Sequence, residues 1–323
     1  MPETAAAVKT VALTGATGFI GARILQKLLE RGTPVRALTR CPQPQATGID
    51  WISGDLNDAG ALKELVKGAD AVIHCAGLVK ARSAEEFDRV NHQGSRSLCQ
   101  AVRAVAGSGE KSVHPHFILI SSLAARLPEI SAYAASKHAS EKAVRESLED
   151  RPWTVLRPPG VYGPGDVEIL KLLRVMRRGV ALAPGSQDSR FSLLHVGDLA
   201  EAVCAALWQP RVFSKMIELD DGKSGGYSMD EVRLLAESIF GRRIRTITVP
   251  EGLLHFAGAA NEIAARLVGG APMLTRGKAR ELVHADWVST GEKLATLINW
   301  KPQFDLEAGL GDTVAWCREK KLL

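Results

Sequence analysis

Short apolar runs alternate with longer amphipathic stretches through the first half of the chain. The runs Lys9 to Leu13, Pro34 to Thr39, Ile49 to Ser53, Ala69 to Cys75, His116 to Ile120 and Trp153 to Leu156 are each too short for a helix and read as buried strands. Between them lie an amphipathic helix ending at Glu30, a long helical stretch from Glu85 to Val105, and a helix around Tyr133. Strand and helix in alternation predict a parallel sheet covered on both faces, whose ligands bind beyond the carboxyl ends of the strands. Gly15, Ala76, Ser122 and Tyr133 all fall on that edge.

The second half is mostly helical. Helices are expected over Glu168 to Arg178, Leu199 to Trp208 with Asp198 as cap, Met229 to Phe240 and Gly252 to Val268. A loop and helix over Pro272 to Trp287 and a closing helix over Phe304 to Lys320 follow, and Phe191 to Leu194 is a short strand. Leu253, Phe256, Ala260, Ile263 and Leu267 recur at helical spacing as one apolar stripe. The stripe is expected to pack as the wall of a smaller domain; the other readings are a lipid-like substrate surface or contact with a membrane surface.

Composition narrows the class. No apolar run reaches the ~18 residues of a membrane span, and the N-terminus lacks a basic region followed by an apolar one, so a cytoplasmic protein without a cleaved signal is expected. The five cysteines, Cys41, Cys75, Cys99, Cys204 and Cys317, are scattered and odd in number, which argues against a disulfide framework or a zinc site. The net charge of +5 is spread along the chain and suits an anionic cofactor without implying nucleic acid.

The chemistry is carried by a few motifs. The first strand runs into Thr14-Gly15-Ala16-Thr17-Gly18-Phe19-Ile20-Gly21 and then a helix, the order in which glycines bring backbone against a pyrophosphate at a helix N-terminus. The next strand ends at Thr39 and Arg40, where an acid would favour NAD; a guanidinium there favours a 2′-phosphate, so NADP is expected, with NAD the other option. Asp55-Leu56 ends a further strand, where the aspartate either meets an adenine edge or caps the next helix. His74 reads as structural. Cys75-Ala76-Gly77 offers small residues against which a cofactor can lie, and Asn91 ties neighbouring loops by hydrogen bonds. Tyr133 and Lys137 share one helix face, where an ammonium can stabilise a phenolate.

Together these residues resemble the extended short-chain dehydrogenase/reductase family, which includes sugar-nucleotide epimerases and dehydratases, 3β-hydroxysteroid dehydrogenases and dihydroflavonol reductases. The resemblance rests on T-G-A-T-G-F-I-G at Thr14 to Gly21, Asp55-Leu56, H-C-A-G at His74 to Gly77, Asn91, Ser121-Ser122 and Y-A-A-S-K at Tyr133 to Lys137. Downstream it adds R-P-P-G-V-Y-G-P-G-D at Arg157 to Asp166 and H-V-G-D-L-A at His195 to Ala200. It implies that Tyr133 is the general acid/base, that Lys137 lowers its pKa and holds the nicotinamide ribose, and that Ser122 hydrogen-bonds the reacting oxygen. Pro158 and Val161 would contact the nicotinamide end.

The expected fold is therefore α/β, a doubly wound Rossmann sheet with a smaller, mostly helical C-terminal substrate domain. Residues 1–160 and about 188–222 would hold the dinucleotide, and about 161–187 with 223–323 the substrate. The expected activity is NADP(H)-dependent interconversion of a ketone and a secondary alcohol on a bulky, lipid-like or steroid-like substrate. Keto-sphingolipid and keto-ceramide reductases fall within the resemblance. Two alternatives stand: an NAD-dependent sugar-nucleotide epimerase or dehydratase, for which the short Ser122 to Tyr133 connection is a departure and Arg190 a candidate phosphate ligand, and a non-catalytic dinucleotide-binding scaffold. A homodimer is expected by family analogy.

Overall fold

The structure, a computed structural model, describes residues 9–106, 114–186, 188–268, 270, 272 and 274–323. Its first half runs β1 (Val11–Thr14), α1 (Phe19–Glu30), β2 (Val35–Thr39), β3 (Ile49–Ser53), α2 (Ala59–Val66), β4 (Ala71–His74), α3 (Ala84–Phe87), α4 (Gly94–Ala106), β5 (His116–Ile120), α5 (Ala132–Ser147) and β6 (Trp153–Arg157). The second half runs β7 (Gly160–Tyr162), α6 (Val167–Arg177), β8 (Val180–Pro184), β9 (Arg190–Phe191), β10 (Leu193–His195), α7 (Val196–Ala206), β11 (Lys215–Glu218), α8 (Met229–Phe240), β12 (Arg245–Val249), α9 (Glu251–Val268), α10 (Arg276–Val283), β13 (Asp286–Trp287), α11 (Leu294–Leu297) and α12 (Leu306–Glu319).

Seven strands form one parallel sheet in the order β11-β6-β5-β4-β1-β2-β3. The order reverses between β1 and β4, which opens a crevice at their carboxyl ends. The central strands β1, β4 and β5 are buried along their whole length, which is why they read as unbroken apolar runs rather than alternating ones. On one face α1 and α7 bury Ile24, Leu28, Leu199 and Val203 against the sheet; on the other, α2, α4 and α5 bury Leu62, Leu98 and Val144. A third apolar cluster, including Tyr162, Leu173, Met176, Ile244 and Leu310, lies apart from the sheet and joins β7, α6, α8 and α12. Residues Leu294 and Trp300 return to the sheet's own core, so the chain crosses between the two parts more than once.

Several local expectations are corrected. The Glu85 to Val105 stretch is not one regular helix: Asp88–Gln93 is a π-helical turn between α3 and α4. Asp58, not Asp55, caps α2, because its carboxylate reaches the Ala61 N–H at 2.9 Å while Asp55 turns back to Asn57 N. Asp198 is not the cap of α7 either. His195 takes that place, and the buried Asp198 carboxylate accepts the Gln303 and Phe304 N–H groups at 2.8 and 2.9 Å, which fixes the approach to α12. The strands β7, β11 and β12 had no clear signature, being short or mixed in polarity, and the all-apolar β8 was not anticipated.

The stripe on α9 is the largest correction. Leu253, Phe256 and Ile263 are 57%, 73% and 57% exposed, so they do not pack as a domain wall. The side packed against the protein carries Gly258, whose Cα faces the Thr275 backbone, and Asn261, which donates to Leu274 O. The Leu267 side chain lies outside the described residues.

Candidate active site

The glycine turn lies at the crevice between β1 and β4. Gly15 adopts φ +77°, and a Cβ there would sit 2.7 Å from Ala76 N; at Gly21 it would sit 2.0 Å from Gly15 O. Both positions therefore exclude a side chain for reasons internal to the chain. Gly18 differs: a Cβ there would meet only Gly15 O at 3.4 Å, so the space it leaves faces outward beside the exposed Thr17. The N-terminus of α1 has no side-chain cap and no acid in its first turn, which leaves its N–H groups and positive dipole end for an anion. This bare, positive cradle fits a pyrophosphate.

A buried relay holds the two strand ends together. The Ser95 hydroxyl donates to Asn91 O (2.6 Å), so it accepts from His74 Nε2–H (3.0 Å). That leaves His74 Nδ1 to accept the Thr14 hydroxyl (2.7 Å), and Thr14 Oγ1 in turn accepts the Ala76 N–H (3.2 Å). Burial, assisted by the Lys137 charge, depresses the His74 pKa to about 3, so the ring stays neutral and serves structure, as expected.

On α5, Tyr133 and Lys137 occupy the expected face. Tyr133 is half-buried, its ring 5.9 Å from that of Phe87, and it lines a cleft together with Ser122. Lys137 is buried, and its Nζ donates to Ile120 O at 2.7 Å. Burial lowers the ammonium to about 8, while the nearby Cys75 and Glu141 act to raise it. Burial also pushes the Tyr133 phenol up to about 12, against a downward pull from the Ser122 hydroxyl, and the Glu281 carboxylate adds to the rise. Desolvation of the phenolate is the largest cause of that rise, and the Ser122 hydroxyl offsets only part of it. Ser122 Oγ accepts the Ala124 N–H at 3.2 Å, which uses a lone pair and leaves the hydroxyl proton available.

Asn91, expected to tie neighbouring loops, and several residues that sequence reasoning left aside hold these groups in place. At the π-helical turn, Asn91 accepts the Leu78 N–H (2.7 Å) and donates to Leu78 O (3.0 Å) and Ser136 Oγ (2.8 Å), tying the loop after β4 to α5. Ser131 caps α5 through the Ala134 N–H and donates to the buried Glu281 of α10. The Arg280 guanidinium donates to Ile130 O at 2.8 Å, so α10 is fastened to the entry of the Tyr133 helix at two points. Beneath them Ser121 donates to Glu141, which Arg157 grips through two nitrogens at 2.9 and 2.6 Å. A serine before a helix is a legible cap signal; nothing in the spacing pointed to Glu281.

The cleft encloses about 1440 Å³, more than a nicotinamide ring and a small substrate require. Phe19, Ile20, Ser122, Tyr133, Pro158 and Val161 are among its lining. Glu262, Ala265, Leu274, Glu281 and Trp287 also line it. The stripe residues Leu253 and Phe256 are not among the lining. Cys75 and Ala76 are half-buried beside Thr14, and the Asn91 amide crowds Gly77. Leu56 turns its side chain inward against Gly94, leaving its backbone alone for the groove. Asp55 is exposed. Arg36 is engaged by Glu64 at 2.7 Å and by Lys67 O at 2.6 Å, whereas Arg40 is exposed at the end of β2 and forms no ion pair among the described residues. Arg190 meets Glu231 at 2.8 Å.

A model of the NAD dependent epimerase/dehydratase family matches residues 11–217, more than half of the chain. The chain belongs to that family. It is an NAD(P)-dependent enzyme of the extended short-chain dehydrogenase/reductase type, and its seven-stranded parallel sheet is the fold expected of one. This family member is similar to the ceramide reductase of Caulobacter vibrioides (strain NA1000 / CB15N), 39% identical over 95% of this chain and 94% of the relative. It is also similar to the 2-alkyl-3-oxoalkanoate reductase of Stenotrophomonas maltophilia (strain K279a), 29% identical over 59% of this chain and 63% of the relative. Among solved structures, MoeE5 in complex with UDP-glucose and NAD matches with a TM-score of 0.73 over 97% of this chain and 99% of that one, at 21% identity, a likeness of fold. Among the described residues, no helix is long and apolar enough to cross a membrane.

Proposed function

We propose that this epimerase/dehydratase family member is an NADP(H)-dependent reductase of a bulky, lipid-like ketone. One juxtaposition carries the reading: the Ser122 hydroxyl and the Tyr133 phenol line a single cleft of about 1440 Å³, whose cofactor end adjoins the glycine turn. The volume supports a substrate larger than a short hydroxy acid. The similarity to a ceramide reductase and to a 2-alkyl-3-oxoalkanoate reductase supports a carbonyl on a long apolar molecule. Arg40, exposed and without an ion pair among the described residues, supports recognition of a 2′-phosphate. Against a nucleotide sugar stands Arg190, whose guanidinium is engaged by Glu231.

The chemistry divides among few groups. When bound, the nicotinamide supplies or accepts hydride at the substrate carbon. The Gly15 to Gly21 turn and the N-terminus of α1 would hold its pyrophosphate, and Lys137 its nicotinamide ribose. Tyr133, a phenol protonated at neutral pH and pushed further up to about 12 by burial, gives its proton to the substrate oxygen as negative charge develops there. Ser122 donates a hydrogen bond to the same oxygen. Lys137, a cation below about pH 8, offsets the charge of the phenolate left behind.

The test is incubation with NADPH or NADH and a panel of long-chain ketones and nucleotide sugars, read by mass analysis. A secondary alcohol formed in step with NADPH oxidation is expected. Turnover of a nucleotide sugar without added cofactor would instead identify an epimerase. Arg40→Ala should lower kcat/KM for NADPH by about tenfold or more relative to NADH, the weight of one charge-assisted contact. Equal losses for both cofactors would remove the argument for NADP.

A further inference from the structure

Among the described residues, the outer face of α9 has no use in the cleft and no cover. At 100° per residue, Leu253, Phe256, Ala260 and Ile263 fall within an arc of about 80°. All four are exposed, and Phe256 is 73% so. The charged and titratable residues of the same stretch, Glu251, His255 and Glu262, lie on other sides of the helix, and Glu262 is turned to the Arg276 N–H at 2.8 Å. Large apolar side chains on a solvent-facing helix without a charge among them mark an interaction surface rather than a soluble exterior.

The strand leading into this helix supplies the second feature. On β12 and its partner β8, Ile247 and Leu182 are in register and both exposed, at 50% and 43%. At the far end of that ribbon Arg177, Arg178, Arg242, Arg243 and Arg245 are all exposed. Arg242 donates to the Arg177 backbone O at 2.8 Å, which pins its guanidinium at the C-terminal end of α6. Among the described residues none of the five is ion-paired, so their charge is left for an external anion. Guanidinium groups left unpaired on the ribbon that leads into an apolar helix face match a surface of anionic headgroups over acyl chains, which satisfies both the arginines and the apolar stripe.

We propose that the Leu253, Phe256, Ala260 and Ile263 face of α9, together with this arginine cluster, docks the enzyme on an anionic bilayer. The opposite side of the same helix contributes Glu262 and Ala265 to the cleft, so docking sets the cleft beside the membrane. The proposal stands apart from the ketone reductase reading, because bilayer binding needs no turnover.

Cosedimentation of the full chain with vesicles tests it. Binding to phosphatidylcholine/phosphatidylglycerol vesicles should exceed binding to phosphatidylcholine alone by about tenfold or more and fall with salt. The double variant Leu253→Ser/Phe256→Ser should lose vesicle binding while keeping NADPH binding and turnover of a water-soluble ketone. Arg242→Glu/Arg245→Glu should lose the preference for anionic lipid. Vesicle binding that is absent, or unchanged in the double variants, overturns the proposal. So does a dimer in light scattering that Phe256→Ser converts to monomer without any effect of lipid, since the face would then be covered by a second copy.

Discussion

Acid should loosen the crevice through His74 before it reaches the carboxylates. The ring is buried between Thr14 and Ser95, accepting at Nδ1 and donating at Nε2, and a second proton at Nδ1 would leave the Thr14 hydroxyl without its acceptor. Its pKa in the folded chain is about 3 against an unfolded value of 6.5, so the unfolded chain binds the proton first as pH falls. The stability this contributes is whole above 6.5, declines below it, and is lost by about pH 3; full titration corresponds to about 5 kcal/mol. His116, buried beside Thr154 and also depressed to about 3, acts in the same sense. Two such rings give a slope of up to ~2.7 kcal/mol per pH unit, or roughly 3 to 4 kcal/mol between pH 6.5 and 5, a large part of a typical domain's stability. Urea midpoints measured from pH 7.5 to 5 read this window before most carboxylates titrate. His74→Gln keeps a donor and an acceptor but no titration, and should remove about half of that slope. A midpoint flat over this range in the native protein, or the same slope in His74→Gln, would refute the reasoning.

Lys137→Met should reduce kcat by about a hundredfold or more, in line with the loss of an acid/base partner. In the native enzyme, kcat/KM for ketone reduction should fall as pH rises past about 8, where the buried ammonium loses its proton while Tyr133 keeps its own. A profile level to pH 10 would contradict that assignment. Asn91→Ala removes three hydrogen bonds and strands the Leu78 backbone; a loss of roughly 3 kcal/mol in urea denaturation is expected, with a higher KM for the dinucleotide, and an unchanged KM would separate the π-helical turn from the groove.

What the sequence determined alone was local. The glycine turn from Thr14 to Gly21, the apolar runs of the parallel strands and the one-turn spacing of Tyr133 and Lys137 are each written within a few residues, because backbone sterics and helix geometry act at that range. Tertiary structure decided whatever depends on a partner far along the chain. Thr14 and His74 are 60 positions apart, and Ser131 and Glu281 are 150 apart, so no periodicity could pair them. The rise of the Tyr133 phenol required the depth of the cleft, not the identity of its neighbours on α5. The α9 stripe is the plainest case. Its spacing stated that one helix face is apolar, but burial is a property of what packs against a face, and among the described residues nothing packs over Leu253 and Phe256.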